Sequence, residues 1–347
     1  MSDGADPRAA EAGASKPWRP TLYRPPWWLK GGHAQTLAGK LFKPKPDLDL
    51  RRERLDTPDG DFIDLDFMPE PQSPRPIVLV LHGLEGSARR SYVLTMLAAL
   101  EAQGLWGVGL NFRSCSGEPN RTTRFYHSGE TGDLAHVLAM LAKRFPGRPM
   151  GAVGFSLGGN ALLKYLGEVG GSEGAPLGAA AAISVPFDLS AGARMLEKGL
   201  MGRLYTFYFM RMLHRKTSLK REILRDAVDV DAVLRTKTLR AFDELATAPL
   251  HGFAGAEDYY ARSSSAGFID HIRVPTLLLH SLDDPFLPAH AVPKDAVGRN
   301  PVLTGVFTRH GGHVGFIGGG RPLRPRPWAE GEAARFLAHH LGTTTSP

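Results

Sequence analysis

Gly154-Phe155-Ser156-Leu157-Gly158 follows the apolar run Met150 to Val153 and leads into a helix-compatible segment from Asn160 to Tyr165. A serine flanked by glycines at that junction predicts a sharp strand-to-helix turn that presents the hydroxyl as a nucleophile. Side chains at 154 and 158 would collide with the neighbouring strand and helix, and glycine removes both collisions. The turn also aims the Leu157 N–H at the space an oxyanion would occupy, at the positive end of the following helix. The competing reading is a glycine-rich turn with an idle serine.

Short apolar runs recur at Ile77 to Leu81, Trp106 to Asn111, Ala179 to Val185, Thr276 to His280 and Val302 to Thr308. Helix-compatible stretches such as Tyr92 to Gln103 and Asp133 to Arg144 separate most of them. Buried strands alternating with helices predict an α/β fold with a doubly wound, mainly parallel sheet. Upstream, Arg54 to Phe67 places two alternating runs around Pro58-Asp59-Gly60, which predicts an N-terminal antiparallel hairpin. Leu189 to Phe268 breaks the rhythm with helical patterns rich in aromatic and basic residues. It reads as a helical insertion over the C-terminal ends of the strands, where α/β proteins bind ligands. A lid is the expected role, with an extra helical layer as the alternative. The expected organisation is a disordered tail over 1–17 and a single domain over 18–347, with the insertion at about 189–268. Pro322 to Pro327 reads as an exposed loop before a last helix, Ala329 to Leu341.

With 347 residues, 42% hydrophobic and 22% charged, the composition is that of an ordinary globular protein. The formal charge of +7 is spread over scattered basic residues rather than gathered in one tract. That argues against a nucleic-acid partner and against membrane association, and the basic stretch His214 to Arg225 reads as a solvated helix face. No apolar run approaches the roughly 18 residues of a membrane span. The first 17 residues lack the apolar core of a signal peptide, and a single cysteine, Cys115, fits a reducing compartment. A cytoplasmic location is the expectation.

A serine hydroxyl needs a histidine base, and the base needs a carboxylate to hold its tautomer. Past the run Thr276 to His280 stands Ser281-Leu282-Asp283-Asp284-Pro285-Phe286-Leu287-Pro288. Asp284 is preferred as the acid because Pro288 follows it by four residues; Asp283 remains open as the alternative. Past Val302 to Thr308 stands Arg309-His310-Gly311-Gly312-His313, with His313 the candidate base and His310 its rival. His82-Gly83-Leu84-Glu85-Gly86-Ser87 directly follows Ile77 to Leu81. At such a place the backbone N–H after the glycine, here Leu84, supplies a second oxyanion donor beside Leu157. His82 and Glu85 are expected to brace that loop. No metal-ligand spacing, nucleotide-binding loop or dinucleotide fingerprint is present in the sequence, so no metal or cofactor is expected.

These motifs resemble the YheT-like branch of the α/β-hydrolases, a group of predicted hydrolases, medium-chain ester synthases and acylglycerol lipases. The likeness runs from about Trp27 to Leu341. It is carried also by Gly32-His33-Ala34-Gln35-Thr36, Asn111-Phe112-Arg113-Ser114-Cys115-Ser116-Gly117, Tyr126-His127-Ser128-Gly129 and Pro186-Phe187-Asp188-Leu189. The resemblance implies hydrolysis of a small-molecule carboxylic ester by a Ser-Asp-His triad without cofactor. Ser114 and Ala34 depart from the usual pattern, so substrate preference transfers less well than reaction type. Short to medium acyl chains are expected, with a minority of Phe155, Phe187, Tyr205, Phe207, Tyr208, Phe209 and Met210 facing substrate. Acyl transfer to an alcohol through the same residues, or ligand binding without catalysis, are the alternatives. Oligomeric state is not legible.

Overall fold

The computed structural model describes residues 17–170, 176–319 and 326–343. One sheet contains β1 (Arg51–Asp56), β2 (Phe62–Phe67), β3 (Ile77–Leu81), β4 (Trp106–Asn111), β5 (Met150–Phe155), β6 (Ala179–Ile183), β7 (Thr276–Ser281) and β8 (Leu303–Thr308). Their spatial order is β1-β2-β4-β3-β5-β6-β7-β8. Neighbours from β4 to β8 run parallel, whereas β2 meets both β1 and β4 antiparallel. The hairpin therefore forms the antiparallel edge of an otherwise parallel sheet. Strands β3, β5, β6 and β7 are buried along their whole length, which is why they read as unbroken apolar runs rather than alternating ones.

Helices α1 (Gly32–Phe42), α2 (Ser91–Ala102), α3 (Gly132–Arg144) and α4 (Leu157–Val169) precede β6. Both α4 and a C-terminal helix, Trp328–Leu341, pack against β6, whose Ala179-Ala180-Ala181-Ala182 offers little side-chain bulk. From β3 the chain crosses to β4 on one side and then returns to β5 on the other. That reversal opens a crevice between the C-terminal ends of β3 and β5, the place where open α/β sheets bind ligands.

Between β6 and β7 lie α5 (Leu189–Leu196), α6 (Gly199–Leu219), α7 (Arg221–Leu224), α8 (Val230–Arg235), α9 (Leu239–Phe242), α10 (Ala248–Leu250) and α11 (Ala256–Ser263). A π-helical turn at Asp243–Thr247 and a 3-10 turn at Ser265–His271 complete a segment without strands. It begins at the expected Leu189 and ends three residues past the expected Phe268. Helices α12 (Lys294–Arg299) and α13 (Trp328–Leu341) close the fold. Residues 1–16 of the expected tail lie outside the described residues, as do 322–325 of the expected Pro322 to Pro327 loop. Its end is not loop: Arg326–Pro327 pairs antiparallel with Ile317–Gly318.

One buried ion cluster ties the hairpin to the parallel sheet. Arg113, just past β4, donates to Asp133 at the start of α3 at 2.6 and 2.7 Å. It also donates to Asp59 and Asp61 in the hairpin turn at 2.7 and 2.9 Å. Burial pushes the Asp61 carboxyl up, but donors from Asn120, Thr122 and two backbone N–H groups outweigh it and hold the pKa at about 2. Removing the cation leaves buried carboxylates uncompensated, which costs roughly 3–5 kcal/mol. Arg113→Met is therefore expected to lose about that much stability in urea denaturation, while Arg121→Met at the exposed turn stays within about 0.5 kcal/mol of wild type.

Candidate active site

Ser156 sits between β5 and α4 with φ 52° and ψ −118°, a conformation that non-glycine residues seldom adopt. The turn is tight enough that a Cβ at 154 would lie 2.5 Å from Gly158 O. One at 158 would lie 2.5 Å from His82 O. Both are impossible contacts, so the flanking glycines are required by the packing of α4 against β3 and β5. The Ser156 N–H donates to Ile183 O at the end of β6, at 2.9 Å. Asn160, one turn into α4, donates to Ser128 O and Ser263 O at 2.9 and 2.7 Å and accepts from Ser265 N–H. It thereby holds the end of the helical insertion against the elbow.

His313 Nε2 lies 2.9 Å from Ser156 Oγ, and its Nδ1 lies 2.9 and 3.1 Å from the two Asp284 carboxylate oxygens. Burial works against the Asp284 carboxylate, yet the His313 contact and the Phe286 N–H hold its pKa below the ordinary value. The Phe286 ring stacks on the His313 imidazole with centroids 4.0 Å apart. Of the two adjacent acids, only Asp284 meets the imidazole of His313. Asp283 accepts instead from Gly312 N–H at 2.9 Å and meets His310 at 3.3 Å, bracing the loop that carries His313. Behind Asp284, burial holds His280 neutral with a pKa of about 4.

Sequence reasoning left Gly32-His33-Ala34-Gln35-Thr36 without a role. In the fold, α1 clamps the histidine loop. The His313 N–H donates to Thr36 Oγ1 at 2.9 Å, and the Ile317 N–H donates to Gln35 Oε1 at 3.0 Å. The approach is so close that a Cβ at 32 would lie 1.8 Å from Asp283 O, and one at 312 would lie 2.3 Å from Gly32 O. Lys43 donates to Val314 O at 2.8 Å and pairs with the buried Glu330. A polar motif about 280 residues from the histidine gives no local signal of this contact; its glycine was the available clue.

Gly83 and Leu84 follow β3 as expected, and a Cβ at 83 would come 3.1 Å from Ser156 Cβ, so this loop borders Ser156. Among the described residues neither the Leu84 nor the Leu157 N–H has a hydrogen-bond partner. His82 is fully buried and neutral, pushed to a pKa of about 3 by burial. Its Nδ1 meets Gly83 O at 2.7 Å, and Nε2 accepts from Phe112 N–H. The buried Glu85 accepts from Tyr126 OH and from Lys216 of α6, both at 2.8 Å. Lys216 also reaches 2.9 Å from Sγ of Cys115, whose thiol pKa is raised by burial.

A cavity of about 860 Å³ opens beside Ser156 and His313. Its walls come from the loop after β3, from α1 and from the insertion. Phe155, Tyr205, Tyr208 and Phe209 line it, whereas Phe187 and Met210 are core and Phe207 is exposed. Four of the seven expected aromatic and methionine positions thus line the cavity, three of them from α6. The fold also assembles one His/Glu group that sequence spacing did not reveal. Ligand atoms of His127, Glu130 and His251 lie within 4.8 Å of one another. Arg124 and the N–H groups of Gly132 and Asp133 already occupy that carboxylate at 2.6 to 3.3 Å. The donor set thus suits an internal network better than a cation.

Residues 76–319 match the family described as alpha/beta hydrolase fold. The chain is 39% identical over 313 residues to the Escherichia coli protein YheT, covering 89% of this chain and 91% of the relative. It is 35% identical over 304 residues to human phospholipase ABHD3, covering 86% of this chain and 74% of the relative. The Pyrococcus furiosus esterase Pf2001 superposes with a TM-score of 0.56 at 16% identity, covering 85% of this chain and 92% of that one. No described helix is long and apolar enough to cross a membrane.

The Lys216–Glu85 pair fastens α6 to the loop beside Ser156. Lys216→Met leaves a buried carboxylate alone and is expected to cost roughly 3 kcal/mol. The measurement is limited proteolysis with urea denaturation, in which the insertion should be cleaved faster. Lys216→Met combined with Glu85→Gln should recover a substantial part of the loss, since no unpaired charge remains.

Proposed function

Because the chain belongs to the α/β-hydrolase fold family, within its YheT-like branch, and is an ester hydrolase, we propose that it cleaves carboxylic esters by covalent catalysis at Ser156. The observation that carries the reading is the continuous contact from Asp284 through His313 to Ser156 Oγ. Ser156 Oγ attacks the ester carbonyl while His313 Nε2 takes its proton, and Asp284 holds Nδ1–H and stabilises the imidazolium. The Leu84 and Leu157 N–H groups receive the oxyanion, each worth on the order of 3 kcal/mol to the transition state. Collapse expels the alcohol, which takes the proton back from His313. Water then attacks the acyl carbon as His313 takes its proton, and the acyl–Oγ bond breaks as His313 passes that proton to Ser156 Oγ, releasing the acid.

The substrate reading is an uncharged ester of short to medium acyl chain. A cavity of about 860 Å³ lined by Phe155, Leu196, Tyr208, Phe209 and Leu213 supports an acyl chain longer than acetyl, and it is near the upper end of the roughly 300–1,000 Å³ of ordinary ligand pockets. The phospholipase name of the human relative supports an acyl ester as substrate. The helical insertion, carrying α5 and α6 over the cavity, is the part we assign as its lid within a single domain.

Turnover of p-nitrophenyl esters from acetate to laurate tests both parts. Wild type should show its highest kcat/KM at an intermediate chain length. Ser156→Ala and His313→Ala should each lose at least about 10⁴-fold while keeping the wild-type thermal midpoint. Near-wild-type cleavage by Ser156→Ala would overturn the mechanism, and a monotonic preference for acetate would overturn the acyl-chain assignment.

A further inference from the structure

Seven large apolar side chains stand exposed on two helices at the cavity mouth. On α1 these are Leu37, Leu41 and Phe42, at 41, 69 and 49% exposure, and on α6 Leu200, Leu204, Phe207 and Tyr208, at 75, 52, 68 and 36%. Positions 200, 204, 207 and 208 share one helical face, as do 37 and 41. The two faces adjoin: Lys40 Nζ lies 3.5 Å from the Tyr208 ring centroid, and His33 Nδ1 lies 3.2 Å from Tyr205 OH. Leu37, Leu204 and Tyr208 also line the catalytic cavity, so the exposed patch is the cavity's outer rim.

The charge carried by the two helices has one sign. Neither α1 nor α6 contains an aspartate or glutamate, while they carry Lys40, Arg203, Arg211 and Arg215, with Lys45 just beyond α1. Among the described residues none of these five cations makes a salt bridge, and the acids flanking the two helices in sequence are Asp47, Glu197 and Glu222. An apolar face ringed by free cations suits an interface with anionic headgroups outside and acyl chains within. A protein partner or a second copy seated there would cover the mouth of the cavity, whereas a lipid surface would open onto it.

We propose that the rim formed by α1 and by α6 from Leu200 to Arg215 docks on an anionic lipid surface and receives its ester from it. This revises the expectation of no membrane association. The basic stretch weighed for that role, His214 to Arg225, turns its Lys216 and Lys220 inward onto Glu85 and Asn120. The docking face is instead assembled from segments about 160 residues apart. The inference rests on the proposed catalytic reading only for what enters the cavity.

The test is co-sedimentation of full-length Ser156→Ala protein with vesicles, the substitution preventing lipid turnover. Binding to equimolar phosphatidylglycerol and phosphatidylcholine vesicles is expected, and binding to phosphatidylcholine alone should be about tenfold weaker. Leu200→Ser with Phe207→Ser, neither of which lines the cavity, should weaken anionic-vesicle binding about tenfold. In the Ser156 background the same pair should leave hydrolysis of soluble p-nitrophenyl butyrate and the thermal midpoint unchanged. No binding to anionic vesicles, equal binding to both compositions, or undiminished binding by the double variant would overturn the proposal. So would a concentration-dependent dimer, seen by sedimentation velocity, that the double variant abolishes. Absence of ester hydrolysis with intact vesicle binding would instead count against the catalytic reading alone.

Discussion

At Ser156 the backbone turns from a buried strand into a helix with φ 52° and ψ −118°, and a residue in that region costs roughly 1–3 kcal/mol unless its surroundings over-determine it. Here they do. β5 is flanked by β3 and β6, α4 packs on the same strands, and the Ser156 N–H is held by Ile183 O. The turn lifts Oγ above the sheet at the crevice where the chain reverses direction. It also starts α4 there, leaving the Leu157 N–H free. Every other part of the site is arranged around an atom whose position this turn dictates.

The partners reach that atom from distant segments, each held by its own constraint. Asp284 is fixed by burial at the end of β7 and by the Phe286 N–H. His313 rides on a glycine-rich loop that would be loose by itself. Asp283 grips the loop from one side and α1 from the other, through Thr36, Gln35 and Lys43. The N-terminal helix is therefore a positioning element for His313 as well as a wall of the cavity. A single helix that holds the histidine loop on one face and shows Leu41 and Phe42 to solvent on another links the site to the surface outside it.

Legibility in the sequence followed locality. The strands were readable because burial on both faces leaves unbroken apolar runs, and the hairpin because Pro58-Asp59-Gly60 has few conformations to choose from. The elbow, the acid and the histidine all lie directly past strands, so their order along the chain carried their placement. The choice between Asp283 and Asp284 rested on a proline offset; in the fold it depends on which carboxylate the β7 terminus turns toward His313. What long-range contact decides stayed hidden. The α1 clamp, the Lys216–Glu85 pair and the His127, Glu130 and His251 group each join segments more than 100 residues apart.

The most direct test of the covalent account is mass spectrometry of the protein after treatment with a fluorophosphonate, which captures an activated serine in place of an ester. A single adduct mapped to the peptide containing Ser156, formed slowly or not at all in His313→Ala, is the predicted result. An unmodified Ser156 in folded protein, or an adduct on another residue at the wild-type rate, would contradict it.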